Sequence, residues 1–298
     1  MQPRRTTGLI LTAALWAALS GCSRPLGPDH HPTPVCVFHL VPHAPHLRAR
    51  IVYQDARGVW LYHLPSGKRR LLVPGGRYPR WSPDGVRIAC HDGAHVWVVD
   101  AANARRTCLA VARAPRALGW RHDGKAVLFS DGHSLKTVST TGGPVRVILS
   151  GRRVRELSAE RRPGRVALTL KTATGFGVYL LDLPSGNLVR ISRGCSASLS
   201  PGGHHVTVNE PDHHYLRLVQ IEPLHVQRVF TPEVPLDNHK WSNHPGWIAA
   251  VSDPPERALY LYDLSHRRIF RLPDLKNVDR PDLFVVGGAI RAPPGATP

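Results

Sequence analysis

Residues 81–90 read Trp81-Ser82-Pro83-Asp84-Gly85-Val86-Arg87-Ile88-Ala89-Cys90, and Val96-Trp97-Val98-Val99-Asp100 follows shortly after. Pro83 presets φ and Gly85 accepts a positive φ, so the stretch reads as strand, tight turn and strand, with a third strand behind it. The turn recurs as Arg121-His122-Asp123-Gly124, Arg161-Arg162-Pro163-Gly164, Ser200-Pro201-Gly202-Gly203 and Ser242-Asn243-His244-Pro245-Gly246. The closing glycines stand 39, 40, 39 and 43 residues apart, and Trp81, Trp120 and Trp241 lie just ahead of their turns.

The third strand recurs too, at Val59 to Leu64, Val96 to Asp100, Val178 to Leu183 and Leu259 to Leu264. These runs are apolar on both faces, which suits strands covered from both sides. Pro65-Ser66-Gly67 and Pro184-Ser185-Gly186 then turn into fourth strands. Four antiparallel strands in about 40 residues, stacked radially, make a β-propeller. Third strands beginning near residues 59, 96, 133, 177, 214 and 257 count six units. The expected fold is therefore all-β, a six-bladed propeller of four-stranded antiparallel blades over residues 35–290, its ring closed by a terminal strand. Leu283-Phe284-Val285-Val286 is one donor for that closing strand, and Val35 to Val41 competes for the slot.

Over roughly residues 48–286 these motifs resemble the TolB-type, WD-like propeller repeat, with Ser139 and Ile221 standing where that repeat has aspartate. The resemblance implies the fold and, more loosely, a role in binding partners within a bacterial envelope. Prolyl-peptidase relatives carry a G-x-S-x-G elbow, and no such pentapeptide occurs here.

Composition agrees with a turn-dense β protein. The 298 residues include 28 Pro and 26 Gly, and interior Pro costs a helix about 3 kcal/mol, which argues against a helix bundle. The hydrophobic fraction of 42% excludes a disordered chain, and no apolar run approaches the ~20 residues of a membrane-spanning helix. Lys and Arg number 39 against 21 Asp and Glu, a net charge of +18. Such a surface attracts polyanions. The arginines are scattered and form no basic tail, so an anionic protein, peptide or glycan is expected rather than nucleic acid.

The N-terminus reads as an export signal. Arg4 and Arg5 precede an apolar stretch from Leu9 to Leu19, too short to span a bilayer. It ends on Leu19-Ser20-Gly21-Cys22, which resembles the lipobox of bacterial lipoproteins. That resemblance implies cleavage before Cys22, lipidation of Cys22, and, with Ser23 next, the periplasmic face of an outer membrane if the source has one, otherwise the cell surface. Residues 1–21 are then a signal peptide, 22–34 a lipidated Cys with a Pro-rich tether, and 291–298 a disordered tail.

The remaining chemistry is sparse. His204-His205 and His213-His214 invite a metal reading, but an intervening strand of about five residues separates the pairs by roughly 16 Å, so no metal site and no cofactor is expected. Cys90 and Cys108 fall two strands apart in one blade, beyond disulfide reach. The connections between units carry cations: Arg77, Arg80, Arg113, Arg116, Arg152, Arg153 and Arg193, then His239, Lys240, Lys276 and Arg280. These form an expected basic ring about the tunnel mouth, inside an outer ring of Asp55, Asp92, Asp131, Glu210, Asp212, Asp253 and Glu256. No catalytic residue stands out. The expected function is a monomeric, lipid-anchored envelope scaffold that binds partners through the tunnel-mouth face; the alternative is an envelope hydrolase or lyase at the same mouth.

Overall fold

A computed structural model of the chain describes residues 33–112, 114–159, 164–210 and 212–287. The segments read as signal peptide, tether as far as Pro32, and C-terminal tail lie outside them. Among the described residues, twenty-five strands follow one another in chain order. They begin with β1 (Val35–Val41), β2 (Ala49–Gln54), β3 (Gly58–Leu64) and β4 (Arg69–Pro74). Next come β5 (Arg77–Trp81), β6 (Arg87–His91), β7 (His95–Asp100), β8 (Arg106–Val111), β9 (Ala117–Trp120), β10 (Ala126–Ser130), β11 (Leu135–Ser139) and β12 (Arg146–Leu149). β13 (Arg153–Ala159), β14 (Arg165–Thr172), β15 (Gly175–Asp182), β16 (Leu188–Arg193), β17 (Cys195–Leu199), β18 (His205–Asn209), β19 (Leu216–Gln220) and β20 (His225–Pro232) continue the series. It ends with β21 (Leu236–Trp241), β22 (Trp247–Ser252), β23 (Leu259–Asp263), β24 (Arg268–Leu272) and β25 (Asp279–Val285).

Four blades are four-stranded and antiparallel: β5 to β8, β9 to β12, β13 to β16, and β25 with β2, β3 and β4. The six separate blades expected from the repeat count are not what forms. The other nine strands make one sheet in the order β17-β18-β19-β20-β1-β24-β23-β22-β21. The reason is β1, which pairs in parallel with β20 through Val35 to Phe38 and with β24 through His39 to Val41. Cys36 and Phe38 point inward, and the Phe38 ring sits 5.1 Å from Phe230 and 5.3 Å from Tyr262, edge-on to both. Val35 to Val41 is thereby spent as a seam between two outer edges. The closing slot beside β2 goes to β25, with Ile51 opposite Leu283 and Ala49 opposite Val285.

The first strands touch in a closed circuit, β5 to β9, β13, β17, β21, β25 and back to β5. This circuit encloses an axial tunnel, and the apolar cores lie between successive sheets. One device recurs between neighbours. Arg50 Nη2 donates to the Gly85 carbonyl at 2.9 Å while its guanidinium covers the Trp81 ring at 4.8 Å. Arg87 does the same to Gly124 at 3.0 Å and Trp120 at 5.2 Å. Part of the arginine excess is therefore structural, each pair being worth about 0.5–2 kcal/mol.

The repeat motifs explain themselves at this level. In the Ser82–Gly85 turn, Arg87 N donates to Ser82 Oγ at 2.9 Å and Val86 N to Asp84 Oδ1 at 3.0 Å. Gly85 holds φ at 69°, and a Cβ there would press on Phe284 at 2.3 Å. At the ends of third strands, Asp100 and Asp263 accept the backbone N–H groups of the following turn. Ser139 substitutes, its Oγ accepting from Thr141 N at 3.1 Å, whereas Ile221 is buried in a core instead. Cys90 lies opposite Trp97, and Trp97 opposite Cys108, which puts a whole strand between the two sulfurs.

Candidate binding site at the tunnel mouth

Each first strand starts at one face, the mouth, and ends in its tight turn at the other. Three inner side chains latch the next strand by accepting a backbone N–H. Ser158 Oγ takes Leu199 N at 3.0 Å, Ser198 Oγ takes Trp241 N at 3.0 Å, and Asp282 Oδ2 takes Trp81 N at 2.8 Å. Nearer the mouth on four of the first strands, Tyr78, Ser196, Asn238 and Arg280 all adopt φ between 50° and 53°. The pairing register breaks at the same points, so each is a β-bulge that turns its side chain away from the regular ladder.

The bulges install a charged plug. Arg280 pairs with Glu156, and since β25 and β13 stand opposite in the circuit, the pair crosses the axis. The Arg280 guanidinium also lies 4.6 Å from the Tyr78 ring centroid and 3.8 Å from Asp279. Burial works against its charge, but Glu156, Tyr78 and Asp279 win and raise its pKa. Beneath it, buried Arg80 donates through Nη1 to Pro79 O at 2.8 Å. Lys240 Nζ donates to Leu157 O at 2.8 Å, and burial with neighbouring Arg80 pushes its pKa down to about 7. The cavity lined by Arg80, Ser158, Lys240 and Asp282 holds about 70 Å³, room for a few waters and far below the ~300 Å³ of a metabolite site.

This geometry divides the expected basic ring. Arg77, Arg116, Arg152, Arg153 and Arg193 are exposed, and no acid pairs with any of them among the described residues. Arg80, Lys240 and Arg280 lie in the tunnel instead, where the bulges carry them; His239 is buried, and Lys276 pairs with Glu256 at 3.2 Å. Arg113 lies outside the described residues. Arg155, which the sequence reading passed over, is exposed on β13 beside Arg153. The expected acidic outer ring is largely spent on its own loops. Asp55, Asp92 and Asp131 accept local N–H groups, Glu210 pairs with Arg217, and Glu256 with Arg271.

The mouth is consequently polarised. Arg77 and Arg116 stand at the starts of β5 and β9, and Arg153 and Arg155 at that of β13. Cys195, Asp237 and Asp279 hold the starts of β17, β21 and β25. Asp279 is matched by Arg257 at 3.2 Å and Asn238 Nδ2 at 2.8 Å. Asp237 accepts from Ser196 Oγ at 2.8 Å and Asn209 Nδ2 at 3.2 Å. His213 reaches in from the loop after β18, with Nε2 3.9 Å from Cys195 Sγ and Nδ1 2.9 Å from Asp253 Oδ1. Burial together with Asp237 and Glu156 pushes the Cys195 thiol up to about 12, so at neutral pH it is not an activated nucleophile. Sequence reasoning missed this cluster because its members come from the starts of β17 and β21 and from the loop after β18, and it weighed His213 only against neighbouring histidines.

No family model matches the chain, and no curated protein matches it either. Solved structures do. TolB from Acinetobacter baumannii superposes with a TM-score of 0.66 at 16% identity, covering 82% of this chain and 68% of that one. A chain of a nidogen/laminin complex gives 0.65 at 6% identity, covering 79% and 98%. A putative TolB from Agrobacterium tumefaciens gives 0.60 at 16%, covering 76% and 89%. In fold, the chain is a TolB-like β-propeller.

Proposed function

We propose that the protein is an envelope scaffold, held at a membrane through lipidated Cys22, which binds an anionic partner on the basic half of its tunnel mouth. The observation that carries this reading is the run of arginines Arg77, Arg116, Arg152 and Arg153, exposed and without an acid partner among the described residues, together with Arg193, exposed at the end of β16. Mutually repelling cations on consecutive strands are relieved by a carboxylate-rich peptide, protein loop or acidic glycan, and the field they sum to favours fast, salt-sensitive capture. The TolB-like fold supports a partner-binding role in the envelope by analogy alone.

The test is the quadruple variant Arg77→Gln, Arg116→Gln, Arg153→Gln and Arg193→Gln. It folds normally, since exposed substitutions seldom cost more than ~0.5 kcal/mol each. In low salt its capture of crosslinked envelope material drops well below that of the native protein. Equal capture by both proteins refutes the reading.

A further inference from the structure

We propose that Cys195 Sγ, His213 Nε2 and Asp237 form a zinc-class metal site at the other half of the mouth. The three ligand atoms lie within 4.8 Å of one another, with Sγ–Nε2 and Nε2–Oδ1 both 3.9 Å. A tetrahedral Zn²⁺ with bonds of about 2.0–2.3 Å needs ligand separations of roughly 3.3–3.7 Å. The site therefore has to contract by well under 1 Å on the two measured edges, within the reach of side-chain torsions. Thiolate, imidazole and carboxylate together are the ligand chemistry of zinc, and hard cations such as Mg²⁺ or Ca²⁺ disfavour the sulfur.

Independent features orient each ligand. Asp253 Oδ1 lies 2.9 Å from His213 Nδ1, and as an acceptor-only carboxylate it selects the Nδ1–H tautomer of a neutral imidazole, whose Nε2 lone pair would then face Cys195 and Asp237. That is the carboxylate–histidine–metal relay found around zinc. Ser196 Oγ and Asn209 Nδ2 fix the Asp237 carboxylate. The backbone is fixed as well. His213 sits at φ 60°, its N–H donating to Glu210 O at 3.1 Å and its carbonyl accepting from Leu236 N at 3.2 Å. Gly194, at φ 118°, lets Cys195 start β17 hard against β18, for a Cβ there would meet the Asn209 carbonyl at 2.3 Å. One divalent ion with one thiolate, one carboxylate and neutral imidazole is charge-balanced. Its binding releases the Cys195 proton to solvent and leaves the fourth position to water.

The experiment uses the full chain, chelator-stripped and then titrated with Zn²⁺ and, separately, Co²⁺. The expected results are one tightly held zinc per chain and a cobalt complex showing a thiolate-to-metal charge-transfer band. Cys195→Ser abolishes the band, His213→Gln abolishes tight binding, and Asp253→Ala weakens zinc about 10- to 100-fold, while all three variants keep the native circular dichroism. The cobalt band read on the native chain decides the matter even if a variant unfolds. Cobalt bound without a thiolate band, or no tightly held zinc, overturns the proposal, and either result leaves the basic half of the mouth untouched.

Discussion

Replacing Glu156 by Gln tests the cross-tunnel plug. The substitution keeps the size and removes the charge that faces Arg280, whose side chain is only 16% exposed. Removing one partner of a buried ion pair costs about 3–5 kcal/mol, because the other charge stays desolvated. Arg280 would retain Asp279 at 3.8 Å and the Tyr78 ring at 4.6 Å, so the expected loss lies at the low end, about 3 kcal/mol. For a domain of this size that lowers Tm by roughly 6–12 °C. Urea and thermal unfolding of the native protein, Glu156→Gln, and the double variant Glu156→Leu with Arg280→Met supply the comparison. The double variant removes both charges and should unfold within ~1 kcal/mol of the native protein. A single-variant cost under ~1 kcal/mol, or a double variant worse than the single, refutes the claim that a desolvated pair spans the axis.

Phe38→Ala empties a buried aromatic slot between Phe230 and Tyr262 and should cost about 3–5 kcal/mol. Hydrogen exchange should then show β1 opening before the four discrete blades do; uniform protection would contradict its role as a seam. Gly85→Ala forces a methyl onto Phe284 at a positive φ and should destabilise by more than 1 kcal/mol, read by urea unfolding. His91 and His239 are both buried, and burial pushes both down to about 4. Their neutral forms stabilise the fold fully above the unfolded value of about 6.5. That stability drains away as pH falls from 6.5 towards 4, because the unfolded chain binds those protons first. Unfolding midpoints at pH 7 and pH 5 should differ in that direction, and His91→Gln should reduce the difference. Cys22→Ala should move the protein from the membrane pellet to the soluble envelope fraction; retention after a salt wash contradicts the lipid anchor.

The repeat was legible because its turns have chemistry that sequence displays: Pro83 and Gly85 set φ, Asp84 and Asp100 cap backbone N–H groups, and Trp81 and Trp120 stack under arginines from the preceding blade. Counting blades failed where pairing depends on a segment outside the repeat. Val35 to Val41 looks like any short strand, and only the buried Phe38 slot decides that it joins β20 to β24. The basic ring was half legible. Arg77, Arg116, Arg152, Arg153 and Arg193 were placed at the mouth, but bulges at Tyr78, Asn238 and Arg280 swing neighbouring cations into the tunnel, and a bulge leaves no periodic mark in sequence. Cys195, His213 and Asp237 were invisible as a set because they meet only through the packing of β17, β18 and β21.

Partners that dock on the basic half of the mouth should be within crosslinking reach of its arginines and out of reach of the turn face. Site-specific photocrosslinking in intact cells tests this most directly, with the crosslinking residue placed at Arg116 or Arg153 and, for contrast, at Val86 or His204 on the turn face. Docking on the basic half gives discrete adducts from the first pair, weakened by raised salt in isolated envelopes, and none from the second. Adducts confined to Val86 or His204, or equal at both faces, would contradict it.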